Sequence, residues 1–210
     1  MPWLRIWLLL AALVLAPGVR GADEACSQLL PAGFDAPPNQ ARSGHYVNAV
    51  YGYALRIPNG LTGYVAMPGP ERGFGIVLSE APRAYVRVDA AYDAFYDITA
   101  PVVHRRDLNA LLPRGKILED RAFPASLHHA PGGRYLTRVQ CPDDGGVYVH
   151  DDLIIVRDRE IYRIDLQTVP SRYDADRHIM EALWHSWRWV PIHPEAPHGP
   201  RAGRRRPEGP

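Results

Sequence analysis

Residues 152–168 read DLIIVRDREIYRIDLQT, and this stretch decides the fold. Two runs rich in β-branched and aromatic residues flank Asp158-Arg159, the pattern of two antiparallel strands joined by a tight turn. On the return run Tyr162, Ile164 and Leu166 share one face and Arg163, Asp165 and Gln167 the other, because successive strand side chains point to opposite sides. A face that stays apolar along a strand must be covered, so the hairpin belongs to a sheet with something packed on it.

The cover follows directly in the chain. Residues 174–187, DADRHIMEALWHSW, place Ile179, Leu183 and Trp187 at i, i+4 and i+8, with Ala182 and Ser186 beside them, as one apolar stripe of a helix. Met180 and Trp184 fall to the side of that stripe. With Trp189 just beyond, they are the candidates for an exposed interaction surface. Asp174 and Asp176 suit the helix N-terminus, Arg188 suits its C-terminus, and Pro191 bars continuation.

Upstream the pattern is mostly strand. Residues 51–57 (YGYALRI) stop at Pro58-Asn59-Gly60, a turn by composition. Residues 74–78 are a short apolar run. Residues 84–92 alternate, with Val86, Val88, Ala90 and Tyr92 against Tyr85, Arg87 and Asp89. Residues 134–140 and 147–156 are strands around the turn CPDDGG (141–146). A short helix is predicted over 107–112, opening on Asp107 and ending before Pro113 and Gly115. The sum is an α+β domain over 45–192: an antiparallel β-sheet of about six to seven strands with a C-terminal amphipathic helix packed on it.

Both ends of the chain read differently. MPWLRIWLLLAALVLAPGVRG has a positive start at Arg5, an apolar run over 6–16, a break at Pro17-Gly18 and small residues before an expected cut after Gly21. Residues 1–21 are thus expected to be a signal peptide, and the protein to be exported, periplasmic or extracellular. The apolar run is shorter than the roughly 20 residues of a spanning helix, so no transmembrane segment is expected after cleavage. Residues 22–44 read as an irregular lead-in. Cys26 and Cys141, the two cysteines of the chain, pair most simply as one disulfide in such a compartment. Closing a loop of that length is worth about 4–5 kcal/mol in the chain-entropy model. Residues 193–210, HPEAPHGPRAGRRRPEGP, offer almost nothing to bury and are expected to be a disordered Arg/Pro-rich tail. The formal net charge is +1, and much of the positive charge sits in that tail. The body therefore lacks the basic face of a nucleic-acid-binding protein.

In this order, YGYALRIP (51–58), IVRDREIYRIDLQT (155–168) and YDADRHIMEALWHSWRW (173–189), with its Ser186-Trp187 pair, resemble the PsbP-like and DcrB-like family of small exported α/β domains. The resemblance covers about 45–190 and is one of pattern, without a signature motif or a catalytic residue to carry over. It implies a binding or assembly role in place of catalysis.

The residues that carry chemistry support few alternatives. His150 and Asp152 point to one side of their predicted strand and supply two potential metal ligands. His104, His128 and His129 are the loop candidates to complete such a set. Opposed to it stands the reading of a solvated strand face with a bulge at Asp151-Asp152. Ser79 and Ser126 lack the strand–elbow–helix setting of a nucleophile. The glycine-rich stretches 69–75, 132–133 and 145–146 read as turns, not phosphate cradles, so no cofactor is implied. Three functions are therefore weighed. The first is an interaction or accessory domain binding a protein or envelope component through Met180, Trp184 and Trp189. The second is a small-molecule or lipid carrier with an aromatic pocket between sheet and helix. The third is a metal-assisted hydrolase using His150 and Asp152.

Overall fold

The hairpin of residues 152–168 lies in the middle of one antiparallel sheet. In chain order the elements are β1 (Gln40–Asn48), β2 (Tyr53–Tyr64), β3 (Gly73–Glu80), β4 (Arg83–Tyr92), α1 (Ala100–Leu111), β5 (Lys116–Leu127), β6 (Ala130–Gln140), β7 (Val147–Arg157), β8 (Glu160–Thr168), α2 (Tyr173–Ser186) and β9 (Arg188–Trp189). This computed structural model describes residues 40–64, 72–80, 83–93, 98–112, 115–141 and 145–192. The signal peptide, Cys26 and the tail expected from the sequence lie outside them.

The strands run in the order β1-β2-β3-β4-β8-β7-β6-β5, and β9 joins the first residues of β2. Nine strands thus stand where about six to seven were expected. The additional ones are β1, β5 and β9, none of which shows a clean alternation in sequence. β5 is an edge strand exposed along most of its length, so no burial imposes a pattern on it. Pro58-Asn59-Gly60 is not a chain-reversing turn: β2 runs through it, and the register against β1 shifts there, between Arg42 and Gly44. Gly132-Gly133 likewise lies inside β6, not in a turn. A Cβ on Gly132 would stand 2.3 Å from the carbonyl oxygen of Ile154, so the glycine allows β7 to approach. The tight turn at Asp158-Arg159 is present, with φ of 52° and 68°, the doubly left-handed form that matches strand twist. His128 (φ 44°) and His129 (φ 70°) form the same kind of turn between β5 and β6.

Register assigns the faces. Val86, Leu166 and Asp151 stand in one row and Val88, Ile164 and Leu153 in the next. Val86, Val88, Leu153, Ile164 and Leu166 form the main core with Tyr53, Leu55, Phe74, Ile76 and the helix-end residues Met180, Leu183 and Trp187. Burying each large side chain contributes about 1.5–3 kcal/mol. The stripe that α2 presents is rotated from the expected one: Asp176, Met180 and Leu183 are its buried residues, while Ile179 is only half-buried. Met180 is fully buried and is no part of an exposed surface. The rotation has a polar cause, because Asp176 turns inward to accept from Thr168 Oγ1 at 2.5 Å and Arg172 at 2.9 Å. Ser186 accepts the Arg56 backbone N–H at 2.9 Å and ties the end of α2 to β2.

The opposite face of the sheet carries α1. This helix begins seven residues before the expected Asp107, with Pro101 in its first turn, the position where a missing N–H costs nothing. Ala100 and Val103 pack there on Tyr135, Ile154 and Ile161.

Candidate functional site

Beneath the C-terminal half of α1 the sheet face is polar. One row across the strands reads Arg87, Asp165, Asp152, Tyr135, and the adjacent row reads Tyr85, Gln167, His150, Thr137. From these rows Tyr85, Arg87, Thr137, His150, Asp152 and Asp165, together with Arg163 and with His104, Asp107 and Leu111 of α1, line a cavity of about 160 Å³. His150 and Asp152 do point to one side, as alternation requires, but the face is covered and not solvated. The register through Asp151-Asp152 is continuous, so no bulge exists there. Asp151 points to the other face, where Arg134 grips it with 2.8 and 2.6 Å bonds and Tyr173 donates at 2.7 Å.

The charges of the cavity are largely spent on one another. Arg87 meets Asp165 at 3.0 Å, Arg163 pairs with Asp107, and Asp152 reaches only Arg163, at 3.5 Å. Three carboxylates thus share two guanidiniums. Burial pushes Asp152 up to about 8, with Asp165 and Asp107 adding to the rise and Arg163 opposing it. Burial also lowers His150, and Arg87 works in the same direction; the His150 Nε2 atom is buried without a hydrogen-bond partner. His104 sits in α1, not in a loop; it stacks on Tyr135 and bonds Asp120 at 2.9 Å.

His128 and His129 do not join this group. Thr137 lies opposite His150, about seven residues of strand, roughly 23 Å, from the hairpin tip that bears the histidine pair. There His128 meets the Trp187 carbonyl, which also accepts from Arg188. Trp184, half-buried, donates to the Ser126 carbonyl at 3.3 Å and stacks on His185. Among the described residues no group of three His, Cys, Asp or Glu side chains is arranged to hold a metal, and no helix is long and apolar enough to cross a membrane. Cys141 is buried beside Tyr148 and Val169; its expected partner lies outside the described residues.

A second cavity, of about 350 Å³, opens where β2 splays from the rest of the sheet. β2 pairs with β3 only over Thr62–Tyr64, and β9 fills part of the gap against Tyr53 and Ala54. Tyr53 and Trp187 stack at 4.4 Å behind it, with Tyr162 and Trp189 set edge to face at 4.9 Å. Tyr51, Trp189, Pro191 and Ile192 form its apolar wall, and Arg157, Asp158 and Glu160 its polar wall. Arg157 lies over the Trp189 ring at 4.6 Å. The Tyr162 hydroxyl sits between the Tyr51 carbonyl, at 3.0 Å, and the Glu160 carboxylate. Val190 N–H bonds the Gly52 carbonyl at 2.9 Å. A Cβ on Gly52 (φ +69°) would stand 2.6 Å from Ile192. The space between sheet and α2, by contrast, is filled by Met180, Leu183 and Trp187, so the aromatic pocket lies at the end of the sheet and not under the helix.

No protein-family model matches the chain, and no curated protein matches it by sequence. Solved structures do match it in shape. The cyanobacterial PsbP of Synechocystis superposes with a TM-score of 0.51 at 16 % identity, over 77 % of this chain and 100 % of that one. The fold is that of PsbP. LpqN of Mycobacterium tuberculosis, involved in cell envelope biogenesis, is similar at 0.48 and 9 % identity over 73 % of this chain and 88 % of its own. The Ran-binding protein Mog1p of Saccharomyces cerevisiae is similar at 0.49 and 12 % identity over 72 % and 97 %.

Within the PsbP fold, the sequence marks Trp189 as a site residue, and the structure places it in the cleft. Tyr51, Arg157 and Ile192 carry no such mark. They come together only because β2, the β7–β8 turn and the segment after β9 converge, and that convergence has no local sequence pattern.

Proposed function

We propose that the chain is an exported interaction or accessory domain, acting in the periplasm or outside the cell, that holds a protein or envelope component in the cleft around Trp189. The observation that carries this reading is the cleft itself: a preformed, aromatic-walled cavity built by three chain segments, with Ile192 39 % exposed at its rim. Concave apolar sites with a few placed polar groups are where ligands bind. The ion pairs of the polar cavity under α1 support a role in holding that helix to the sheet. The PsbP fold and the sequence resemblance agree with an accessory role. A small-molecule carrier remains the second reading, because the same cleft has the volume of a ligand pocket.

The test is a photo-crosslinking residue at Ile192, compared with one at the more exposed Leu112 at the end of α1, in the envelope fraction of the native host. A specific adduct from position 192, absent from position 112 and lost in a folded Trp189→Ala protein, is the expected result. Identical adducts from both positions would refute the assignment of the cleft.

A further inference from the structure

The segments 40–64, 124–132 and 182–192 contain no aspartate or glutamate, and the fold brings them together. Ala54 of β2 stands opposite both Val47 of β1 and Arg188 of β9, and Arg56 stands opposite His45. Opposite residues of antiparallel strands share a face, and every second residue returns to it. His45, Val47, Arg56 and Arg188 therefore lie on one side of these three strands, away from Tyr53, Leu55 and Ile57, which enter the core. All four are exposed, Val47 by 52 %. The tip of the β5–β6 hairpin adds His128, whose Nε2 lies 3.1 Å from Arg188 Nη1.

Arginines elsewhere in the sheet are engaged: Arg72 and Arg134 each grip an aspartate through the Nε–Nη2 edge of the guanidinium. Arg188 bonds from Nη1 alone, to the carbonyls of His185 and Trp187. These bonds anchor it at the C-terminal end of α2. Its Nε–Nη2 edge, the one that takes an oxyanion through two parallel bonds, has no partner among the described residues. The Arg56 guanidinium meets no carboxylate among them either. In a chain of net charge +1 this is a local excess, and guanidinium forks match phosphate. A protein partner carries charges of both signs. An anionic bilayer presents phosphates throughout, and a face that meets it does without carboxylates. Val47, in line with Arg188, suits the boundary between headgroups and acyl chains.

We propose that the outer face of β1, β2 and β9 docks on an anionic phospholipid surface, with Arg56 and Arg188 on lipid phosphates and Val47 at the acyl boundary. This surface is separate from the cleft: Arg188 and Trp189 project to opposite faces of β9, so either site stands or falls without the other.

The experiment is sedimentation of the full mature chain with vesicles of phosphatidylcholine mixed with phosphatidylglycerol, and with vesicles of phosphatidylcholine alone. Arg201, Arg204, Arg205 and Arg206 stay in every variant, so the variants differ at the face alone. The chain should bind the mixed vesicles and not the neutral ones. An arginine at an anionic surface is worth about fivefold in partitioning, so Arg56→Gln with Arg188→Gln should weaken binding about 25-fold. Arg56→Gln alone, which takes no side-chain bond from the fold, should weaken it about fivefold and covers the case in which the double variant loses the end of α2. Lys116→Gln removes the same charge at the far end of β5, roughly 35 Å of strand from His128, and should bind as the parent does. Equal loss in Arg56→Gln and Lys116→Gln overturns the proposal, because net charge alone would then act. Absence of binding to the mixed vesicles overturns it too. If a poly-glutamate peptide is held through Arg56 and Arg188 while the vesicles are not, an acidic protein takes the place of the lipid and the proposal fails. The crosslink at position 192 tests the cleft independently of every one of these results.

Discussion

Arg134→Ala would leave the carboxylate of Asp151, a residue with 0 % exposure, facing the Tyr173 hydroxyl alone. Arg134 supplies two of the three bonds to that carboxylate, and the Asp151 bond in turn holds the guanidinium above its ordinary pKa. Removing one partner of a buried pair costs about 3–5 kcal/mol, mostly from the charge left behind. Domains have about 5–15 kcal/mol in total. With a urea slope near 2 kcal/mol/M, the midpoint should fall by about 2 M. The companion variant Arg134→Met with Asp151→Leu removes both charges and should stay within about 1 kcal/mol of the parent. Urea unfolding followed by circular dichroism reads both. A single variant that loses less than about 1 kcal/mol would refute the reasoning, because Asp151 would then be solvated or satisfied elsewhere.

Three more outcomes follow from particular residues. Asp152 has a folded pKa raised to about 8 against about 3.9 unfolded, so the folded state holds the extra proton between those values. Stability should therefore fall as pH rises from about 4 to about 8, by at most about 1.4 kcal/mol per pH unit from this group. Asp152→Asn should flatten that slope in urea midpoints taken across the range, and an unchanged slope would count against it. Gly132→Ala drives a Cβ to 2.3 Å from the Ile154 carbonyl oxygen, so the β6–β7 pairing must open. A loss of about 1–3 kcal/mol is expected, and a neutral midpoint contradicts the close approach. The Cys26–Cys141 bridge should make the unreduced mature chain lighter by two hydrogens in mass spectrometry, and its loss in Cys26→Ser should cost about 2–5 kcal/mol; a free-thiol mass disposes of the bridge.

The elements with strong local signals were legible. Residues 152–168 announce their hairpin because both strands are buried and the turn carries Asp158-Arg159. Residues 173–186 announce α2 by spacing alone. What was not legible depended on contacts distant in sequence. The stripe of α2 is set by Asp176 meeting Thr168 and Arg172, a polar anchor that an apolar count ignores, and so Met180 turns inward. β5 shows no alternation because little covers it, and Gly132-Gly133 looks like a turn because glycine also serves close backbone approach. On the site, Trp189 stood out by residue type, while Tyr51, Arg157 and Ile192 became neighbours only through the splay of β2.

The two cavities show why residue type alone misdirects the search for function. His150 and Asp152 are the residues a chemist would choose first, and the structure does bring them together, in one cavity with Arg87, Arg163, Asp107 and Asp165. Yet a site for chemistry needs groups left over after the fold has used its own. Here each guanidinium already has a carboxylate and burial raises the third carboxyl, although His150 Nε2 and Asp152 Oδ1 are left without hydrogen-bond partners. Around Trp189 the walls are largely apolar instead. The apolar wall is only partly covered, an indole N–H has no acceptor, and Ile192 is left exposed at the rim. Unburied apolar surface is what association can use, because covering it releases water. The direction of that inference is from surplus to function, and it points to the end of the sheet where β2 leaves its neighbours.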